Sequence, residues 1–199
     1  MISAIVLAAG EARRMGQFKL LLPWEGKTIL EHVLDNLLQS QVNEVILVLG
    51  HEAHRILKRI PTQKIKVVIN TDYREGMSSS LRKGLAAMKE KSTAFLVVLG
   101  DQPGIRKEII NQLIQSFHQS REKRKIVLPT YKGRRGHPVL FSIQYHEEIL
   151  RLRGDIGARQ ILKDHPEHTI EVEIDSDTIL LDIDTPEDYN KFLKRRTKH

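Results

Sequence analysis

The chain has no cysteine in 199 residues. Disulfides, thiolate zinc sites and cysteine nucleophiles are therefore excluded, and the composition is compatible with a cytoplasmic location. Aromatic residues make up only 5% of the sequence and are scattered, which gives little support to a stacking platform for single-stranded nucleic acid. No run approaches the roughly 18 apolar residues of a membrane span, so no membrane association is expected. No basic segment precedes the apolar stretch at the N-terminus, so no secretory signal is expected either. Glycine/serine linkers, internal repeats and low-complexity segments are missing, which argues for one domain over 1–199. Several motifs are absent too. There is no GK[ST] and no G-x-G-x-x-G, which excludes a Walker A loop and the dinucleotide fingerprint. There is no H-E-x-x-H, H-x-x-x-H or G-x-S-x-G, which removes support for a zinc site and for a hydrolase nucleophile.

What is present is a basic chain of net charge +7 and pI near 9.6, with 40% hydrophobic residues, enough for a sizeable core. The excess of cations suggests an anionic partner or simply a Lys/Arg/Glu-rich surface. The tail 194–199, KRRTKH, reads as a solvated, disordered end. Short β-branched runs at 3–8, 44–49, 65–69, 94–99, 126–128, 138–141, 169–174 and 178–183 alternate with helical patterns near 28–40, 52–60, 79–90, 106–119, 143–152, 157–164 and 186–195. This alternation predicts an α/β fold with a mainly parallel sheet and helices on both faces. Thr28 with Glu31 forms a capping-box pattern, and Thr185, Pro186 and Asp188 mark the start of the last helix.

In open parallel sheets ligands bind outside the carboxyl ends of the strands, so the segments that follow the strands carry the chemistry. After the first strand comes GEARRMGQFK, in which small residues let backbone amides approach a ligand while Arg14 and Lys19 offer a fork and a point charge to phosphate oxygens. The alternative is a basic surface loop. After the fourth strand, GDQPG places Asp101 where a carboxylate could hold Mg²⁺ beside substrate phosphates, or make an ordinary turn. GMSSSLRKGL puts Ser78–Ser80 at a helix start, either to receive an anion or to cap the helix. GRRGHP and LRGDIGAR carry His137 and Asp155, and LLDIDTPEDY carries Asp182 and Asp184. Asp184 is open to two jobs, metal ligand or neighbour of a helix cap.

VLAAGEARRMGQFKLLLP, GMSSSLRKGL, GDQPG, PTYKGRRGHPVLF, GDIGARQIL and LLDIDTPEDY occur in this order over 5–189. The chain thereby resembles the molybdenum cofactor cytidylyltransferase family of the nucleotidyltransferase superfamily. The resemblance implies a single-domain, three-layer Rossmann-like fold with a mixed sheet. It implies an enzyme that joins CTP to the terminal phosphate of molybdopterin with Mg²⁺, releases pyrophosphate and supplies a molybdoenzyme. By motif position Leu7, Ala8, Ala9 and Gly10 would contact the nucleotide, with Ser79 nearby. Arg14 and Lys19 would hold its phosphates, and Asp101 and Asp184 the metal. Gly136, His137 and Asp155 would face molybdopterin. Ala12 stands where the family usually has serine. The guanylyl branch carries two glycines where this chain has Ala9 and Gly10, so the Ala9 methyl is expected to disfavour a purine. Three rivals stay open: guanylyl or other transfer to a different phosphorylated acceptor, a nucleic-acid-binding module and a non-catalytic cofactor carrier. The nucleic-acid rival lacks a clustered basic face.

Overall fold

The computed structural model describes residues 1–11, 15, 16 and 18–196. Seven strands form one sheet in the order β10-β7-β9-β6-β1-β4-β5. They are β1 (Ile2–Ala8), β4 (Glu44–Leu49), β5 (Lys66–Ile69), β6 (Ala94–Leu99), β7 (Ile126–Tyr131), β9 (Val139–Ser142) and β10 (Thr169–Glu173). β1 pairs in parallel with β4 and β6, β4 with β5, and β7 with β10. β9 runs antiparallel to both β6 and β7. Two short hairpins add β2 (Pro23–Trp24) with β3 (Lys27–Thr28), and β8 (Arg134–Arg135) against the end of β7.

Alternation along the buried strands separates two cores. Ala4, Val6 and Ala8 of β1 pack with Leu30, Val33, Leu34 and Leu37 of α1 (Ile29–Leu38), Ile56 of α2 (Ala53–Leu57) and Ile110 and Leu113 of α4 (Lys107–Gln119). Ile5 faces the other way, toward Leu81 and Leu85 of α3 (Met77–Ala86), Ile149 of α5 (His146–Leu150) and Ile161 of α6 (Arg159–Asp164). The result is three layers. A third cluster, Met15, Trp24, Ile29, Ile183 and Phe192, docks α7 (Pro186–Arg196) beside the first hairpin. Residues 194–196 of the expected tail therefore belong to a helix.

The capping box at Thr28 and Glu31 is present, with both reciprocal bonds formed. Thr185 and Asp188 make the equivalent pair at the start of α7. The expected strand at 178–183 is not a strand. Asp177–Leu180 is a 3-10 turn held by Ser176, whose hydroxyl accepts from the Thr178 amide. Its alternating apolar residues are buried one by one instead: Ile179 enters the first core and Ile183 the third cluster. The fifth strand runs past 128, because Pro129 lies beyond the last β9 pair at Val127 and its missing N–H costs that ladder nothing. Both hairpins turn on two residues of positive φ, Glu25–Gly26 and Lys132–Gly133, the geometry that matches strand twist. The segment read as a loop after β7 is thus half hairpin. Among the described residues, no helix is long and apolar enough to cross a membrane.

Candidate active site

The carboxyl ends of β1 and β6 lie side by side, with Gly100 N–H donating to Leu7 O at 3.0 Å. Three sequence-distant residues meet there. Lys19 opens a 3-10 turn, Lys19–Leu21, anchored by buried Leu20. Its Nζ donates to Asp101 Oδ2 at 2.5 Å and to Asp184 Oδ1 at 2.9 Å. The three side chains are 13%, 17% and 32% exposed, so the pairs are shielded more than surface pairs are. Burial by itself would lower the Lys19 pKa, but the two carboxylates outweigh it and hold the ammonium above the ordinary lysine value. Asp182 joins from the same segment. Burial first, and then the charge of Asp101, pushes its carboxyl above the usual aspartate range, while Gln102 Nε2 donates to its Oδ1 at 2.5 Å.

The donor set suits a divalent cation. Asp101 Oδ1 is buried and has no hydrogen-bond partner among the described residues, and neither has Gln102 Oε1. A buried carboxylate oxygen left without a donor is costly unless something positive reaches it. Asp101 and Asp184, the expected ligands, are the two carboxylates that Lys19 bridges, so the structure brings all three together. Arg14, expected on the phosphates, and Ala12 lie outside the described residues.

The backbone around Ala9 explains the small residues of the first motif. Ala9 O accepts from His51 N–H at 3.1 Å, and a Cβ on Gly50 would lie 2.9 Å from the Ala9 methyl. Ala8 and Ala9 are each 4% exposed. The Ala9 methyl therefore packs against the β4 end. Gly10 is exposed with open space where a side chain would be, so its backbone remains approachable. Leu7 turns its side chain into the second core.

The start of α3 is bonded to residues 154–155. Asp155 Oδ1 accepts from Met77 N–H at 3.0 Å, and Ser78 Oγ donates to Gly154 O at 2.6 Å. Gly76, at φ 100°, makes this possible: a Cβ there would come within 2.7 Å of Asp155 N. The anion at the start of α3 is thus the Asp155 carboxylate itself. The expected nucleotide contact at Ser79 is corrected. Its buried hydroxyl donates toward Asp72 O and Gly76 O, at 3.0 and 2.8 Å, and accepts from Asn70 Nδ2 at 2.9 Å, so it holds the turn. Asn70, fully buried, also bonds Ser80 Oγ and takes the Asp72 N–H. Sequence reasoning passed over Asn70, although a polar residue closing the run IKVVIN was its signal.

Gly136 is fixed by a close approach, since a Cβ would sit 2.4 Å from Ile179 O. That contact sets the next residue, His137, whose N–H donates to Ile179 O at 3.0 Å. Burial, with Arg159 adding to it, lowers the His137 pKa to about 4 although Asp101 opposes the shift. Its Nδ1 is buried and finds no partner among the described residues. The ring is thus a neutral group that feels the charge of Asp101. The two arginines before it are exposed on β8, and Arg135 pairs with Glu171 of β10 at 2.8 Å.

The sequence model of the MobA-like NTP transferase domain matches residues 4–169. The chain belongs to that family. Relatives named molybdenum cofactor cytidylyltransferase, from Escherichia coli K12, and nicotine blue oxidoreductase, from Paenarthrobacter nicotinovorans, are 32% and 30% identical to it. The alignments cover 99% of this chain and 98% of the first relative, and 96% of both chains for the second. The crystal structure of Rv0371c from Mycobacterium tuberculosis H37Rv superposes with a TM-score of 0.88 at 31% identity over 97% of each chain. A manganese complex of that protein superposes at 0.84, with 30% identity over 97% of this chain and 98% of that one. The fold and the nucleotidyltransferase class follow from this membership. One of these relatives is named as an oxidoreductase, so the substrate has to be argued from the site.

Proposed function

We propose that this MobA-like nucleotidyltransferase transfers CMP from CTP to the terminal phosphate of molybdopterin and releases pyrophosphate, with Mg²⁺ as its metal. The observation that carries the reading is the Lys19 bridge between Asp101 and Asp184 at the carboxyl ends of β1 and β6. A terminal phosphate is already ionised at neutral pH, so its oxygen attacks the α-phosphorus without a general base. The bond from the α-phosphorus to the bridging oxygen breaks, and its electron pair leaves with pyrophosphate. The obstacle is repulsion between polyanions, which positioning and fixed cations relieve.

Each residue then has one task. Asp101 and Asp184 would hold Mg²⁺, which would supply positive charge to the phosphates. Lys19, a point charge on a flexible stem, would offset charge on the triphosphate. The backbone at Ala8–Gly10 lines the nucleotide, and Arg14 adds a second cation. His137, neutral and close to Asp101 in charge terms, faces the acceptor with Gly136 and Asp155. The reaction belongs in the cytoplasm, where nucleoside triphosphates are made, and its product passes to a molybdoenzyme.

The test is pyrophosphate release from CTP, GTP, ATP and UTP in turn, with molybdopterin and Mg²⁺. The expected result is turnover that needs molybdopterin and favours CTP. Preference for GTP would overturn the cytidylyl assignment and leave the transferase reading. No pyrophosphate from any triphosphate would overturn both.

A further inference from the structure

A second group of ligating side chains lies at the opposite edge of the sheet. The 3-10 turn Pro166–His168 leads into the start of β10, and His165 caps the end of α6. The active-site residues follow the ends of parallel strands, whereas these precede one, so the sheet separates the two groups. His165, Glu167 and His168 each offer one ligand atom, and these lie within 4.8 Å of one another. Glu167 Oε1 is 3.7 Å from His165 Nδ1 and 3.5 Å from His168 Nδ1. A tetrahedral zinc ion with bonds of about 2.1 Å sets its donors about 3.4 Å apart. Both Glu167 spacings lie close to that edge.

The surroundings supply what a metal site needs beyond its ligands. His165 Nε2 is 2.6 Å from Glu148 Oε1. With the proton on Nε2, the Nδ1 lone pair is left facing Glu167, the carboxylate–histidine arrangement that orients metal ligands. Arg124 pairs with the same Glu148 and lies over the Tyr145 ring at 4.7 Å. The Tyr145 hydroxyl holds His168 at Nδ1, 2.8 Å away; a metal takes over that nitrogen or uses Nε2. The two imidazoles stack within 15° of parallel, with centroids 5.4 Å apart. His165 and His168 are 18% and 32% exposed and Glu167 60%, so an ion has access from solvent.

We propose that His165, Glu167 and His168 form a site for a divalent transition metal of the zinc class, separate from the Asp101–Asp184 centre, that ties the start of edge strand β10 to the end of α6. Two imidazoles and a carboxylate, with no thiolate anywhere in the chain, suit Zn²⁺, Co²⁺ or Ni²⁺ better than Mg²⁺ or Ca²⁺. Water completes the fourth position.

The experiment is a Zn²⁺ titration of the chelator-treated full chain, with Co²⁺ in parallel for its visible absorption in four-coordinate imidazole sites. The Asp101→Asn protein is run alongside to silence the other centre. One zinc equivalent should bind in Asp101→Asn, at least one in wild type, and zinc should raise the melting temperature of both. Glu167→Gln and His168→Gln should each weaken it by at least about tenfold, and Glu148→Gln by about 10- to 100-fold through loss of the orienting carboxylate. Glu167 is mostly exposed, so its variant keeps the test sound if a histidine variant fails to fold. Unchanged zinc affinity in Glu167→Gln and His168→Gln overturns the proposal. So does zinc binding that disappears in Asp101→Asn.

Discussion

Replacing Asp101 with asparagine keeps the shape of the side chain and removes its charge. Two effects follow, and their sizes differ. In the protein without substrate, Lys19 loses one charged partner but keeps Asp184 at 2.9 Å, and the asparagine oxygen can still accept a hydrogen bond. A charged hydrogen bond is worth about 1.5–3 kcal/mol when removed outright. Here two partners and partial retention reduce the loss to about 1 kcal/mol, or roughly 2–4 °C in melting temperature for a chain of this size. In the reaction, the charge that should hold the cation is gone at its more buried ligand, 17% exposed against 32% for Asp184. Removing one electrostatic group from such a site typically costs about 10²–10³ in rate. The rate loss should therefore far exceed the stability loss, and Asp184→Asn should lose less of both. Pyrophosphate release measured against Mg²⁺ concentration, with a thermal melt of each variant, reads the two effects separately. An Asp101→Asn protein that turns over normally at low Mg²⁺ would refute the reasoning.

Lys19→Ala should lower kcat with CTP and leave Asp101 and Asp184 without their bridge, while Lys19→Arg should rescue poorly because a fork is not a point charge; a defect confined to the Michaelis constant for molybdopterin would refute the triphosphate role. His137 has a folded pKa of about 4 against an ordinary 6.5, so its neutral form contributes stability that is intact above pH 6.5. As pH falls from 6.5 toward 4 the unfolded chain takes up the proton and the folded chain does not, which drains up to about 3 kcal/mol. The difference in melting temperature between wild type and His137→Asn should change across that window, and a constant offset from pH 7 to pH 4 would contradict it. Asp155→Ala should cost about 1 kcal/mol by uncapping Met77 N–H, and Asp155→Asn should recover most of it, since asparagine caps as well; chemical denaturation of the three proteins measures this.

The layered fold was legible because it rests on local patterns that agree with one another. Apolar β-branched runs such as EVILVL and AFLVVL have no polar face, so they had to be buried on both sides, and α1 announced its start through Thr28 and Glu31. The run at 178–183 misled because alternation of apolar residues predicts a buried face, not a strand. Ile179 and Ile183 are both fully buried, but a turn achieves it, and nothing in TILLDI distinguishes the two. The candidate site was legible only in part through topology. Lys19 and Asp101 follow β1 and β6, where the rule of strand carboxyl ends looks, but Asp184, 165 positions from Lys19, follows a turn and not a strand and was chosen as a metal ligand only through the resemblance.

Ser79 and Asp155 show where that rule stops. It brings donors and acceptors to one edge but cannot say which of them satisfy each other. A helix start with free amides and a nearby carboxylate can wait for a ligand's anion or take the chain's own, and the choice depends on whether the backbones can approach. Here the approach turns on one residue with no side chain, Gly76, whose positive φ lets residues 154–155 come close enough for Asp155 to reach Met77 N–H. A side chain at 76 would push the two segments apart and expose the amides. The same amides are thus structural in this chain because of a glycine outside the motif's obvious chemistry. The Met77 amide at this helix start is already taken by Asp155, and the Ser79 hydroxyl by the backbone of its own turn.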